Sequence, residues 1–284
     1  MRVKGLLVLL LVLGLLAGGL VFYACSSGGD DDDTADDDAD DDIDDDTDDD
    51  AAPPNSIGGV VIDYFSEVPL EGALVEALNN ATGESFDPPI TGISDTNGYV
   101  MLTGIPEGEE QVGIKVSLAG YKDTIQYNFN VGVTDEQFLC ISNTTVAAIT
   151  LLLGIEWDPA KGTAAGAVYW GDPTDENPIG CVEVTTDPPN DEIHYMNNLG
   201  MPSRDRDIDT PGNPQNGEGT NPNDGAFVSV NMDPGQITIT ANADGNVEEA
   251  VLPQLFADSV CIVTIYYSKD EYPSNPQGAW CTSK

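Results

Sequence analysis

The sequence has a single histidine, His194, which limits the catalytic and metal chemistry open to the chain. One imidazole excludes a Ser-His-Asp or Cys-His centre elsewhere, and any zinc site that needs two histidines. The motifs G-x-S-x-G, H-E-x-x-H and G-x-x-x-x-G-K are also absent. We interpret His194, beside Tyr195, as an ordinary loop or strand residue. Paired carboxylates have no fixed spacing, so motifs alone do not exclude a glycosidase, but nothing in the sequence favours one.

Positive charge is scarce, with nine lysines and arginines against fifty acidic residues and a net charge of −41. Sixteen aspartates between Asp30 and Asp50 contribute −16, and Arg2 and Lys4 contribute +2, which leaves −27 for the remainder. Nucleic-acid binding requires clustered cations against phosphate, so this composition excludes it. Binding to an anionic lipid surface is disfavoured for the same reason.

The longest apolar run lies at the N-terminus, where Gly5 to Ala24 carries no charge and follows a short basic start. This pattern predicts an export signal. The end of the run, Phe22 to Cys25, resembles the bacterial lipobox, in which a small residue precedes a cysteine that is lipidated and becomes the new N-terminus. We predict a lipoprotein signal peptide at 1–24 and lipidation of Cys25. The alternative is an uncleaved membrane anchor, because about 20 apolar residues can span a bilayer. Both give the same topology, with everything after Cys25 exported.

Residues 25–56 follow as an aspartate-rich segment. Neighbouring charges about 3.5 Å apart lie well within a Debye length of about 8 Å, so repulsion should keep the segment extended and disordered. We predict a lipid-anchored tether, and we expect the outer membrane because Ser26, and not Asp, follows the cysteine. A calcium- or mineral-binding tract is the alternative, since carboxylate oxygens suit that ion. Acidic residues after a lipidated cysteine also resemble surface-export signals of some Gram-negative lineages.

Four cysteines remain after Cys25, an even number in an exported chain, which predicts two disulfides. No C-x-x-C spacing supports a zinc or thioredoxin-like site. The first half of the remaining chain contains only Cys140, so complete pairing requires one bridge between the halves. Our preferred pairs are Cys181 with Cys261 and Cys140 with Cys281.

The chain after Ile57 has the pattern of short strands. Val112, Ile114 and Val116 alternate with polar residues or glycine, and Ile237 and Ile239 alternate with threonine or glutamine. Period-two alternation between turn residues predicts half-buried strands, and long amphipathic helices are absent. The prediction is an all-β fold of the β-sandwich type.

This pattern occurs twice, which indicates a duplication. Asn97-Gly98 and Asp224-Gly225 are hairpin turns in matching positions, because both central residues adopt positive φ at low cost. The first unit carries the pattern at Gly59, Val61, Asp63, Pro69, Gly72, Ala73, Val75, Asp95, Gly98, Pro106, Gly108, Gly120 and Tyr121. The second, more divergent unit carries it at Gly166, Val168, Pro178, Gly180, Val182, Asp224, Gly225, Phe227, Pro234 and Gly235.

Together these residues resemble the carboxypeptidase regulatory-like domain. The resemblance implies a transthyretin-like (prealbumin-like), also called carbohydrate-binding-like, sandwich of seven strands in each unit. It implies no catalytic residues, because in carboxypeptidases this domain only accompanies the catalytic domain. We predict one sandwich at 57–155 and a second, divergent one at 163–284 with an acidic insertion at 189–223.

Two loops were considered as calcium sites. An EF-hand that includes Asn97 fails, because Ile93 and Gly104 occupy ligand positions, so a hairpin turn is the better interpretation. In the insertion, Asp205, Asp207 and Asp209 alternate and could hold calcium, with an acidic solvated loop as the alternative. No other cofactor is expected.

Each unit places two aromatic residues just after its first strand, Tyr64-Phe65 and Tyr169-Trp170. Exposed rings could stack on sugars. The alternative is that one member of each pair packs into the sandwich and the other shields an edge.

The combined interpretation is a non-catalytic exported lipoprotein that displays two sandwiches at the cell envelope, in a structural or partner-binding role. Its expected contacts are the membrane, through the N-terminal lipid, and an envelope protein or polysaccharide. The alternative is a carbohydrate-binding surface protein.

Overall fold

The computed structural model describes residues 53–171, 177–196, 202, 220 and 225–276. These residues form fifteen β-strands and one α-helix, so the predicted all-β fold is confirmed. The strands are β1 (Ser56–Asp63), β2 (Leu74–Asn79), β3 (Ser85–Ile93), β4 (Tyr99–Thr103), β5 (Gln111–Ser117), β6 (Tyr121–Asn130), β7 (Glu136–Ser142), β8 (Gly162–Trp170), β9 (Asn177–Pro178), β10 (Glu183–Asp187), β11 (Ile193–Tyr195), β12 (Ala226–Met232), β13 (Gly235–Ala243), β14 (Asn246–Leu255) and β15 (Ser259–Tyr267). The helix, α1 (Asn143–Leu153), connects β7 to β8.

The first repeat is built from β1 to β7. Strand β1 pairs antiparallel with β4 and parallel with β7, while β3, β2, β5 and β6 follow one another in an antiparallel arrangement. The predicted alternation in β5 is confirmed, since Val112, Ile114 and Val116 are buried. They pack with Ile57 and Phe138 in the core of this repeat.

The second repeat has equivalent pairings. Strand β8 pairs antiparallel with β12 and parallel with β15, and β10, β13 and β14 form a separate antiparallel sheet. Ile237 and Ile239 of β13 point into the core, as the alternation predicts, whereas Thr240 lies on the outer face and donates to Glu249. One difference stands out: β3 pairs with β2, but its counterpart β11 pairs with β12.

The turn glycines Gly98 and Gly225 occupy the same place in the two repeats. Val61 donates its N–H to the carbonyl of Gly98, and Val168 donates to the carbonyl of Gly225. Gly98 has φ +78° and Gly225 has φ +63°, a region that side chains rarely adopt. The same hydrogen bond therefore occurs in both halves of the described chain. The duplication into domains at 57–155 and 163–284 stays a prediction.

The repeats are joined by backbone pairing. Strands β15 and β6 run parallel, with Val260 beside Thr124 and Cys261 beside Ile125. This contact completes one path of eight strands in the order β11-β12-β8-β15-β6-β5-β2-β3. Leu78 and Ile125 of the first repeat belong to the core of the second. The described residues from Pro53 onward accordingly form one compact unit.

Helix α1 was not predicted. Its start is capped by Ser142, whose side chain accepts from the N–H of Thr145, and it ends at Gly154 with φ +66°. Val146 and Leu153 pack against Val228, Val230 and Val260, so the helix covers one face of the long sheet. Among the described helical residues, none forms a segment long and apolar enough to cross a membrane.

Candidate functional site

The first predicted aromatic pair lies side by side on an exposed turn after β1. Tyr64 is 39% exposed and Phe65 is 37% exposed, and their ring centroids are 4.9 Å apart in an edge-to-face arrangement. Val68, on the same turn, is also exposed. Both rings therefore reach the surface of the first repeat and could contact a flat ligand.

The turn is held by Asp63. Its Oδ1 accepts from the N–H of Phe65 at 3.0 Å, and from the N–H and hydroxyl of Ser66 at 2.8 and 2.9 Å. Burial and the adjacent Asp63 carboxylate raise the pKa of Tyr121. The Asp63 carboxylate therefore fixes the position of the two rings.

The second aromatic pair is arranged differently. Tyr169 is 7% exposed and stacks on Tyr266, with centroids 6.0 Å apart. Trp170 donates its indole N–H to the carbonyl of Tyr272, and Lys269 lies 4.9 Å above its ring. Here one ring packs inward and the other is engaged by its neighbours, as the alternative interpretation expected.

The preferred disulfide pairing is wrong. Cys140 and Cys261 are both free thiols in the structure. Cys261 is enclosed on β15 between β6 and β8, where Ile125 and Ala164 are its cross-strand neighbours. Burial raises the pKa of Cys140 to about 12 and also raises that of Cys261. Cys181 is disulfide-bonded, to a partner that lies outside the described residues.

The remaining predicted sites lie mostly beyond the described part of the chain. Cys25 and Cys281 fall outside it, as do Asp205, Asp207 and Asp209 of the proposed calcium loop. In the described ranges, no three His, Cys, Asp or Glu side chains come together to hold a metal ion. The loop rejected as an EF-hand is a tight turn between β3 and β4, in which Asp95 accepts from the N–H groups of Asn97 and Tyr99. It is not the predicted hairpin, because β3 pairs with β2 and β4 pairs with β1.

Every lysine in the described ranges is engaged within the protein. Lys115 pairs with Glu76 at 3.0 Å, Lys161 pairs with Asp233, and Lys269 lies over Trp170. The fourth lysine, Lys122, forms an ion pair with Asp258 and lies 4.5 Å above the ring of Trp157. The surface of the described residues therefore presents carboxylates to solvent, while its lysines contact carboxylates or rings of the same chain.

The cluster of Lys122, Trp157 and Asp258 joins the two repeats and was missed from sequence. Trp157 donates its indole N–H to Asp258 at 2.9 Å, so the Asp258 carboxylate accepts hydrogen bonds from both Trp157 and Lys122. Partial burial opposes ionisation of Asp258, but hydrogen bonds from Lys122 and Trp157 outweigh it and lower the pKa of this carboxyl. The three residues are far apart in sequence, and none belongs to a recognisable motif.

Comparisons with known proteins leave the family of the chain open. No protein-family model and no curated protein matches it. Among solved structures, the TIE protein of Bacillus anthracis aligns over 75% of this chain and 33% of its own length, at 12% identity and TM-score 0.23. A type II cohesin–X-dockerin complex of Acetivibrio cellulolyticus aligns over 31% and 58%, at 18% identity and TM-score 0.23. GBS52, the minor pilin of Streptococcus agalactiae, aligns over 75% and 94%, at 11% identity and TM-score 0.24.

The chain thus spans one third of the first of these proteins and 58% of the second. Such low TM-scores carry no inference about function, and the all-β assignment rests on the strands themselves.

Proposed function

We propose that the protein is a non-catalytic exported lipoprotein that displays two β-sandwich repeats at the cell envelope, in a structural or partner-binding role. Lipid on Cys25 holds the chain to the membrane, expected to be the outer membrane, and residues 25–56 act as the tether. The resemblance to carboxypeptidase regulatory-like domains supports this role, because those domains accompany a catalytic domain and do not themselves catalyse.

The observation that supports this proposal is the negative surface charge of the described residues. Three of the four lysines of the described ranges pair with carboxylates and the fourth lies over a ring. Because acidic residues far outnumber basic ones, the outward charge is negative. Such a body is repelled by anionic lipid, and the charged tether is extended by its own repulsion. Both effects keep the sandwiches away from the bilayer and leave them accessible to an envelope partner.

The anchoring is tested by labelling cells with a fatty-acid analogue. We expect label on the wild-type protein and on Ser26→Ala, recovery of both in the membrane fraction, and loss of label in Cys25→Ala. An unlabelled wild-type protein would show that the cysteine is not lipidated.

A carbohydrate-binding role is the second candidate, favoured by the exposed Tyr64 and Phe65. The test is a glycan array with the double variant Tyr64→Ala/Phe65→Ala, and with Val247→Ala as a control at another exposed apolar position. Binding that disappears in the double variant alone would establish this role. Absence of glycan binding by the wild type would leave the display function.

A further inference from the structure

The outer edge of strand β4 has backbone groups that no other described strand pairs with, and Gly92 of β3 approaches this edge at Met101, where an added Cβ would lie 3.5 Å from the carbonyl oxygen. Val61 bonds to Gly98, so in the antiparallel register Val100 and Leu102 bond to β1. Met101 and Thr103 therefore direct their N–H and C=O groups away from β1. No strand in the described ranges other than β1 pairs with β4, and neither residue has a backbone partner on its outer side there.

In the second repeat, the strand equivalent to β4 pairs with an additional strand along the corresponding edge. Gly59 faces Val100 in the first repeat, and its counterpart Gly166 faces Phe227, so Met101 and Thr103 correspond to Val228 and Val230. There the edge is filled by β11, which runs antiparallel to β12 with His194 beside Val228. Val230 donates to the carbonyl of Glu192 at 3.0 Å. The same architecture thus holds an added strand in one repeat and lacks it in the other.

The open edge borders a groove between β3 and β4 with a volume of about 440 Å³. Its lining is mostly apolar and also includes Asp87 and Thr103. The apolar residues are Phe86, Pro88, Pro89 and Ile90 of β3, Met101 of β4, and Pro106 of the loop after β4. Pro88 and Pro89 of β3 have no N–H groups to donate to an added strand, whereas Met101 and Thr103 of β4 do. We therefore place strand addition on β4.

The negative charge near the groove favours a positively charged ligand. Asp87 lines the groove, and Glu107 follows the lining residue Pro106 in sequence; both are exposed. The described lysines are all paired elsewhere, so no cation of the described body neutralises these carboxylates. The aspartate-rich tether of the same chain is excluded as occupant, because like charges repel. A basic segment would meet complementary charge.

We propose that an extended, lysine- or arginine-rich segment of a partner protein docks in this groove, antiparallel to β4, and completes the edge that β11 completes in the second repeat. Main-chain hydrogen bonds to Met101 and Thr103 supply affinity, and alternate side chains of the segment reach the apolar lining and the nearby carboxylates. This assignment rests on the proposed partner-binding function and specifies the class of partner.

The test uses the full chain in detergent and a fluorescent heptapeptide of alternating lysine and valine. Hydrogen exchange of the complex should slow at Met101 and Thr103. A peptide with N-methyl groups on alternate residues keeps the charge but removes donors, and should bind about tenfold or more weakly. A glutamate–valine peptide should not bind.

Charge variants separate specific docking from general attraction. Asp87→Lys/Glu107→Lys should weaken binding about tenfold, whereas Asp270→Lys/Glu271→Lys, with the same change in net charge elsewhere, should have little effect. These four residues are exposed, so the variants should fold.

Three results would overturn the proposal: no binding of the lysine–valine peptide, equal binding of the N-methylated peptide, or no protection of β4. Fatty-acid labelling of Cys25 is independent of this groove. A labelled, membrane-bound protein that does not bind the peptide would therefore disprove the docking site alone. An unlabelled protein that binds the peptide would disprove the lipoprotein function alone.

Discussion

At the scale of single residues, the turn at Gly98 requires glycine because the backbone of Val61 lies close to its Cα. An added Cβ at Gly98 would lie 2.7 Å from the carbonyl oxygen of Val61 and 3.0 Å from Cβ of Pro69. Gly104 has a similar φ of +83° but open space around it. The two glycines therefore differ in surroundings while sharing a conformation, and the pair separates steric from conformational effects.

We predict that Gly104→Ala lowers the free energy of unfolding by about 1 kcal/mol, the usual cost of a side chain at positive φ. Gly98→Ala should cost about 1–3 kcal/mol more, because the methyl group also displaces backbone. Urea unfolding of both variants checks the difference. Equal destabilisation would mean that the approach of Gly98 to Val61 contributes nothing.

The cysteines give a second prediction at this scale. Because burial raises the pKa of Cys140 to about 12, its thiol stays protonated and unreactive at neutral pH, and the enclosed Cys261 should behave alike. Iodoacetamide should leave both unmodified in the native protein and alkylate both after unfolding. Peptide mapping that finds either residue in a disulfide would contradict the structure.

At the scale of elements, the sequence predicted local strands well and their partners poorly. Alternation in β5 and β13 identified the buried faces, because that signal is local. The hairpin expected at Asn97-Gly98 is wrong, because the strands on either side of this turn pair with other strands. Helix α1 was missed, since its threonines and branched residues have no strong helical preference and its burial depends on a distant sheet. The pairing of β11 with β12 was also missed, because the choice between two sheet edges is a tertiary effect.

The connecting cluster around Asp258 gives a prediction at this scale. Asp258→Asn should lower the free energy of unfolding by about 0.5–1 kcal/mol, a modest value because the carboxylate is partly exposed. Its folded pKa is lowered, so the contribution exists above the unfolded carboxyl pKa of about 4 and is lost as the pH falls through the folded value.

Asp233→Asn is the matched control, because its ion pair with Lys161 is more exposed and lies within the second repeat. Unfolding curves at neutral and acidic pH should separate wild type from Asp258→Asn only at neutral pH. A difference that persists in acid would show that the carboxylate charge is not responsible.

At the scale of the whole molecule, the repeats are connected by a sheet and not by a disulfide. The free Cys140 removes the covalent bridge expected from sequence, but β6 and β15 form a parallel pair between the repeats, and Leu78 and Ile125 enter the second core. The sequence does not predict this pairing, because β6 and β15 show the same alternation of apolar and polar residues as strands that pair within a repeat. Of the candidate sites, the sequence located the exposed aromatic turn. The unpaired edge of β4 could not be predicted, because it depends on β3 pairing with β2 and not with β4.

The central claim is that the protein presents both repeats as one body, and scanning calorimetry of the full chain tests it most directly. We predict a single unfolding transition whose calorimetric and van't Hoff enthalpies agree, because the shared sheet and core couple the repeats. Two resolved transitions, each with the enthalpy of one repeat, would contradict it and mean that the repeats unfold independently.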